Sequence, residues 1–202
     1  MGHDILLKCR CGAVTGMARE VSSARGNRLV CMCDDCQAYA RWLGDERMLD
    51  QSGGTEVFQL TPAQVRIDRG REQVRCVRLS EQGLMRWYAD CCRTPIANTL
   101  ASPRMPFVGV LTLFMDHPDP RSRDEQLGPV LARIQARFGK PPLPPGSHLR
   151  APLGLILRSL GQLVRGFIAG AHAPSPFFDP SSGAPIVEPL VLDSTERDRL
   201  RM

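Results

Sequence analysis

Seven of the chain's eight cysteines fall in three tight clusters: Cys9-Arg10-Cys11, Cys31-Met32-Cys33-Asp34-Asp35-Cys36 and Cys91-Cys92. Thiols one to three residues apart, repeated in three places, have the spacing of metal ligands. Zinc is the metal that a tetrahedral set of soft thiolates selects. A structural zinc site is closed by four protein ligands, whereas a catalytic one keeps a position open. Seven thiols are one short of two closed sites. The simplest partition joins two sequence-distant pairs, Cys9 and Cys11 with Cys91 and Cys92, into one closed site that ties early strands to late ones. Cys31, Cys33 and Cys36 then form a second site, with three thiolates from one loop and a fourth position open. Lewis-acid or thiol-activating chemistry needs that arrangement.

The same thiols could form disulfides only in an oxidising compartment. The first eight residues, Met1 to Lys8, carry an apolar run of three and no cleavage signature, so no secretory signal is expected. Leu6 stands where a myristoylation motif wants Ser or Thr. A cytoplasmic location follows, where paired thiols bind metal rather than each other. Neighbouring cysteines also pair with one another only in strained rings.

The elements that must position these thiols read as short strands. Alternating or apolar-rich runs predict strands over 13–18, 28–31, 55–60, 64–68, 74–79, 84–88 and 107–115, with Gly53-Gly54 and Arg69-Gly70 as turns. One short helix is expected after Cys33, through Gln37-Ala38-Tyr39. The composition changes near residue 117, since 13 of the 17 prolines lie from Pro118 onward and every cysteine lies before it. The expectation is a mainly β, cysteine-bearing domain over 1–116 and a Pro-rich helical extension over 117–202. In the extension, Pro129, Val130, Leu131, Ile134 and Phe138 follow helical spacing. A second helix should begin at Pro152, with an apolar stripe of Leu153, Leu157, Leu160, Val164 and Phe167 opposite Arg158, Gln162 and Arg165. That stripe is expected to pack on the β domain or to form a homodimer through the C-terminal helices.

The 202 residues carry a formal net charge of +5, with 5% aromatic residues. Residues 1–120 hold 15 basic and 14 acidic side chains, and the excess lies in the extension. So mild a balance argues against a nucleic-acid partner. The run Arg66, Arg69, Arg71, Arg75 and Arg78 reads as a solvated strand face. Arg158 and Arg165 interrupt the apolar stripe, which argues against a membrane span, and the sequence reading sets a membrane-surface role aside as well. Cys76, mid-strand, reads as a small buried hydrophobe, and Tyr39 and Trp42 as packing over the middle cysteine loop.

The order CxCG, CxCxxC and a late cysteine pair followed by Thr-Pro resembles the glutathione-dependent formaldehyde-activating enzyme family, which also includes the domain of centromere protein V. The matching residues are Cys9-Arg10-Cys11-Gly12-Ala13-Val14, Cys31-Met32-Cys33-Asp34-Asp35-Cys36 and Cys92-Arg93-Thr94-Pro95, with Gly44 after the second cluster. The resemblance covers about residues 5–100. It implies a zinc-bound β-tent of small antiparallel sheets, with a structural zinc on the first and last clusters. It also implies a second, more labile zinc at Cys31, Cys33 and Cys36, where a small thiol or glutathione adduct approaches. The implied activity is that of a carbon-sulfur lyase. The alternative reading is a non-catalytic, zinc-stabilised interaction module.

Three departures from the family pattern matter. Aligning Cys92 with the second cysteine of a terminal CxxCG puts Ala89 at the first cysteine and Arg93 at the glycine. Both Cys91 and Cys92 then serve one metal only if the backbone turns sharply, or else His3 or Asp90 substitutes. Three thiolates on a zinc ion leave a charge of −1, and Asp34 and Asp35 lie in the same loop. An anionic thiol would be repelled unless Arg10, Arg28 or Arg41 offsets that charge. The aspartates are expected to cap the following helix. No His, Glu or Lys near the clusters identifies itself as a proton-transfer group, so the catalytic residues are unassigned.

Overall fold

A computed structural model describes residues 2–201. The chain is mainly β with four helices, and its strands form two sheets. Strands β1 (His3–Lys8), β2 (Thr15–Val21) and β5 (Val65–Arg69) make a three-stranded antiparallel sheet in the order β1-β2-β5. The second sheet contains β3 (Asn27–Cys31), β4 (Thr55–Leu60), β6 (Val74–Arg78), β7 (Met85–Ala89), β8 (Thr94–Thr99), β9 (Val108–Leu111), β10 (Ala132–Ile134) and β11 (Leu190–Val191). Their order is β10-β3-β4-β9-β8-β7-β6-β11, antiparallel except at its two edges, where β10 lies parallel to β3 and β11 parallel to β6.

The two-residue period of each strand sorts side chains to two faces. Along β7, Met85, Trp87 and Ala89 join the core that includes Ile5 and Leu7 of the small sheet, while Tyr88 joins the core on the opposite face. β4 does the same, with Phe58 and Leu60 on the first face and Val57 on the second. That second face is covered by α1 (Asp34–Leu43), through Ala38, Tyr39 and Leu43. The layers are therefore small sheet, large sheet and helix. α1 stops at Gly44, whose φ of 67° is left-handed and whose turn sends the amide of Asp45 back to the carbonyl of Ala40 at 3.1 Å.

Residues 117–202 contribute both edge strands, so packing runs across the composition boundary. They also supply α2 (Pro120–Leu127), α3 (Leu153–Ile168) and α4 (Ser194–Arg201). The helix expected from Val130 to Phe138 is instead β10 followed by a single 3-10 turn. The free edge of β3 decides this: the Leu131 amide donates to the Arg28 carbonyl at 2.9 Å and pairing continues through Ile134. Gln135, at φ 60°, then breaks any helical path. The second expected helix is present as α3. It approaches the domain closely because Gly166 faces Pro106, where an added Cβ would lie 2.7 Å from the Pro106 ring.

Phe177, fully buried, stacks on Trp87 at a centroid separation of 5.0 Å, with Phe178 edge-on at 6.2 Å. The extension is thereby part of the main core. Phe177→Ala should lower unfolding stability by about 3–5 kcal/mol in urea denaturation. A loss below about 1 kcal/mol would show that residues 117–202 merely rest on the domain.

Candidate metal centre

The first site forms where the turn after β1 meets the turn between β7 and β8. Cys9 leaves β1 and folds its chain into a tight knuckle. The Gly12 amide donates to the Cys9 carbonyl at 2.9 Å, Gly12 takes φ 76°, and the Val14 amide donates to the Cys9 sulfur at 3.2 Å. Across from it, residues 90–93 form a turn in which both Cys91 and Cys92 face the knuckle. The four Sγ atoms lie within 4.8 Å of one another. Individual separations are 3.6 Å for Cys9–Cys11, 3.9 Å for Cys9–Cys91, 3.4 Å for Cys11–Cys91 and 3.8 Å for Cys91–Cys92. A tetrahedron with 2.3 Å zinc–sulfur bonds has edges of about 3.8 Å. These separations fit that polyhedron, and the donor set suits a metal that binds thiolate.

Neither expected substitute takes part. Asp90 faces Arg75 at 4.0 Å, and His3 pairs with Val21 in the small sheet. The strain of placing adjacent cysteines on one site falls at Arg93, with φ 57°, the position that the resemblance assigns to glycine. Its guanidinium lies 4.1 Å from the Trp42 ring centroid and 5.1 Å from that of Tyr88, and donates to the Trp42 carbonyl at 2.9 Å. Stacking on two aromatics holds a non-glycine residue in the left-handed region. The turn is further fixed by Arg10, whose amide donates to Thr94 Oγ1 at 3.1 Å and whose side chain donates to the Cys92 carbonyl at 2.7 Å. Burial opposes ionisation of Cys92, but hydrogen bonds from the Thr94 hydroxyl and the Cys11 amide bring its thiol down to about 6.

The second site lies at the end of β3 and the start of α1. Cys31, Cys33 and Cys36 bring their sulfurs within 4.8 Å of one another. Cys33, rather than either aspartate, is the N-cap: its Sγ accepts from the Cys36 amide at 3.4 Å. Asp34 and Asp35 occupy the first turn, where the helix dipole favours them. Both are met by Arg201 of α4, at 3.3 Å from Asp34 and 2.5 Å from Asp35. Arg41 donates to the Leu200 carbonyl at 2.5 Å, so α4 is seated on α1 at both ends of this contact.

The counter-charge expected from Arg10, Arg28 or Arg41 comes from Arg86. Arg28 is engaged by Glu56 and Asp124. Arg86, on β7, is only 3% exposed and donates to Cys36 Sγ at 3.9 Å. Its guanidinium also lies 5.2 Å from the Tyr39 ring centroid. Burial works against its charge, yet the Cys36 and Cys33 sulfurs raise its pKa further. Reciprocally, hydrogen bonds from Cys31 and Cys33, then Arg86, hold the Cys36 thiol well below its ordinary range despite burial. Hydrogen bonds to Cys33 and Cys36, with burial, push the Cys31 thiol the other way. Three thiolates, a divalent ion and the Arg86 guanidinium would sum to zero charge. Arg86 escaped the sequence reading because a charge on a strand suggests a solvent face. The available signal was its setting: Met85, Trp87, Tyr88 and Ala89 surround it in a strand apolar on both faces.

Cys76 is buried as expected, which raises its thiol to about 12, and the Tyr39 hydroxyl donates to the Trp87 carbonyl at 3.1 Å. Trp42 packs between Tyr39 and Tyr88, at centroid distances of 6.5 and 5.2 Å. In the arginine run, Arg66 pairs with Asp68, and Arg78 donates to the Gly83 carbonyl at 3.2 Å.

A sequence model for a family of unknown function, DUF6151, matches residues 1–189. The chain belongs to DUF6151. Both cysteine sites and α3 fall inside the matched span, and α4 lies beyond it. Among solved structures, a crystal structure of a Rhodobacter sphaeroides protein aligns with 62% of this chain and 96% of that one, at 20% identity and a TM-score of 0.38. No protein with a curated description matches the chain.

Two substitutions test the local energetics. Arg86→Gln removes the buried counter-charge but no thiol, so zinc affinity at the three-cysteine site should fall roughly 10–100-fold in competition with a chromophoric chelator. Unchanged affinity would separate Arg86 from the site. At residue 93, Arg93→Gly should be more stable than Arg93→Ala by about 1 kcal/mol, because both lose the stacking and only alanine keeps the backbone strain. Equal stabilities in chemical denaturation would contradict a strained turn.

Proposed function

We propose that this DUF6151 member is a two-zinc protein of the β-tent type with a carbon-sulfur lyase-like activity on a small thiol adduct, glutathione being the model thiol. On this reading Cys9, Cys11, Cys91 and Cys92 hold a structural ion that joins the two sheets. Cys31, Cys33 and Cys36 hold a second ion with one coordination position left for the thiol. The observation that carries the reading is the grouping of three thiols from one loop with a buried arginine beside them. The order of the cysteine motifs supports it independently.

Zinc bound there would supply a Lewis-acidic position at which a thiol ligand loses its proton. The chain's own residues do the rest. Arg86 cancels the excess negative charge of three thiolates from inside the fold, so an anionic sulfur meets less repulsion than the loop sequence suggests. Arg201 draws Asp34 and Asp35 toward α4, which further lowers the field against an anionic ligand. Cys33 holds the start of α1 through the Cys36 amide and so keeps all three sulfurs in register.

The outward apolar face of α3 favours a second reading, a non-catalytic interaction module with purely structural metal. Metal analysis and calorimetry separate the two. The enzyme-like reading expects two zinc ions per chain, one easily chelated, and saturable glutathione binding. Cys33→Ser should then lose the labile ion and the glutathione signal while keeping the other zinc and the far-UV spectrum. One tight zinc per chain with no glutathione heat would eliminate the lyase-like reading and leave the module.

A further inference from the structure

The longest helix turns its apolar side outward. On α3, Leu155 and Gly166 are buried against the domain, and between them Ser159 and Gln162 engage the fully buried Asn27. Arg158 reinforces this polar seam, donating to Asn27 Oδ1 at 2.6 Å and to the Ser23 carbonyl. At 100° per residue, Leu153, Ile156, Leu157, Leu160, Val164 and Phe167 then lie together on the opposite side. They are exposed in fact: Leu153 keeps 69% of its surface, Leu160 54% and the terminal Ile168 84%. Leu149, just before the helix, extends the patch at 66%. An ordinary surface helix buries its apolar stripe and exposes its polar one. This helix is seated the other way round, and the contiguous apolar patch it presents calls for a partner.

The charges around the patch select that partner. Between Glu125 and Asp179 the chain contains no acidic residue and six basic ones: Arg133, Arg137, Lys140, Arg150, Arg158 and Arg165. Arg150 precedes the helix and Arg165 lies in its last turn, and both are exposed. A second copy docked face to face would bring two like-charged helices together, since α3 carries Arg158 and Arg165 and no acidic residue. An anionic lipid surface offers hydrocarbon to the leucines and phosphates to the arginines. No helix in the described residues is long and apolar enough to cross a membrane, so α3 would lie along the interface rather than through it.

We propose that α3 is a membrane-surface helix whose outward face, with Leu149, enters the headgroup–acyl boundary of an anionic bilayer while Arg150 and Arg165 meet lipid phosphates. Of the two placements the sequence pattern allows for the stripe, packing on the β domain and a homodimer, the Asn27 seam removes the first. The proposal is independent of metal content and of any lyase activity.

Flotation of the full chain with vesicles of phosphatidylcholine and phosphatidylglycerol (7:3), compared with phosphatidylcholine alone, tests it. The protein should float with the anionic vesicles, bind the neutral ones far less, and release as sodium chloride rises from about 0.1 to 0.5 M. Leu157→Gln with Leu160→Gln should weaken partitioning by at least ~10-fold. Arg150→Gln with Arg165→Gln should weaken binding to anionic vesicles by about 30-fold and remove most of its salt dependence. All four side chains are exposed, so far-UV spectra and melting temperatures should stay unchanged. Absence of flotation with both compositions would overturn the proposal. So would a concentration-dependent dimer in sedimentation equilibrium that the leucine variant dissolves, which would assign the face to a second copy.

Discussion

The meeting of two turns through sulfur is the constraint on which the rest of the structure depends. Cys11 and Cys91 are 80 residues apart and their sulfurs are 3.4 Å apart. Between them run β2 and β5 of the smaller sheet and β3, β4, β6 and β7 of the larger. Closing a flexible loop of that length costs on the order of 4 kcal/mol from (3/2)RT ln n alone. The three-stranded sheet cannot recover that cost by strand pairing with the larger sheet, since the two share no continuous ladder. Side-chain packing, the hydrogen bonds from Arg10 to the Cys92–Thr94 turn and from the Asp116 amide to the Leu6 carbonyl, and the thiol cluster connect them. On the proposed reading, folding and metal uptake are therefore a single event, as in other small domains held by thiolate-bound metal. The rest of the turn then makes sense: Arg10 and Thr94 hold its backbone, and Trp42 and Tyr88 hold Arg93 where the chain bends hardest.

The second cluster has a charged partner from the large sheet. Arg86 stands beside Cys36 on β7, which is paired on both sides, with β6 and with β8. A guanidinium buried without a carboxylate is costly unless another anion faces it. Here the anion is a thiolate, so Arg86 and the cluster stabilise each other's charge. The same logic separates the two sites by surroundings. The four-thiol site lies near the surface, with Cys11 and Cys91 exposed, whereas the three-thiol site has one sulfur inside the fold and a charged neighbour within it. Closure belongs to the first site and charge tuning to the second.

Much of this was legible before any coordinates. The cysteine partition followed from spacing and count, β6 from alternation, and β4 and β7 from short apolar-rich runs between turn signals. Other elements were hidden for physical reasons. β10 and β11 are three and two residues long and exist only because β3 and β6 offer unpaired edges, which local sequence does not reveal. α4 has no buried residue of its own, and its position comes from ion pairs between Arg201 and aspartates more than 160 residues earlier. α3 is amphipathic as its periodicity predicts, but its apolar stripe does not pack on the β domain. Periodicity reports that a helix has an apolar side; it does not report which side the fold uses. Asn27, buried and far away in sequence, decided that.

Zinc K-edge X-ray absorption of the protein purified without added chelator tests the central claim most directly. Seven thiolates shared by two ions predict an average of about 3.5 sulfur neighbours per zinc, at about 2.3 Å. A first shell dominated by nitrogen and oxygen, or a folded protein with no bound metal and freely alkylated cysteines, would contradict it.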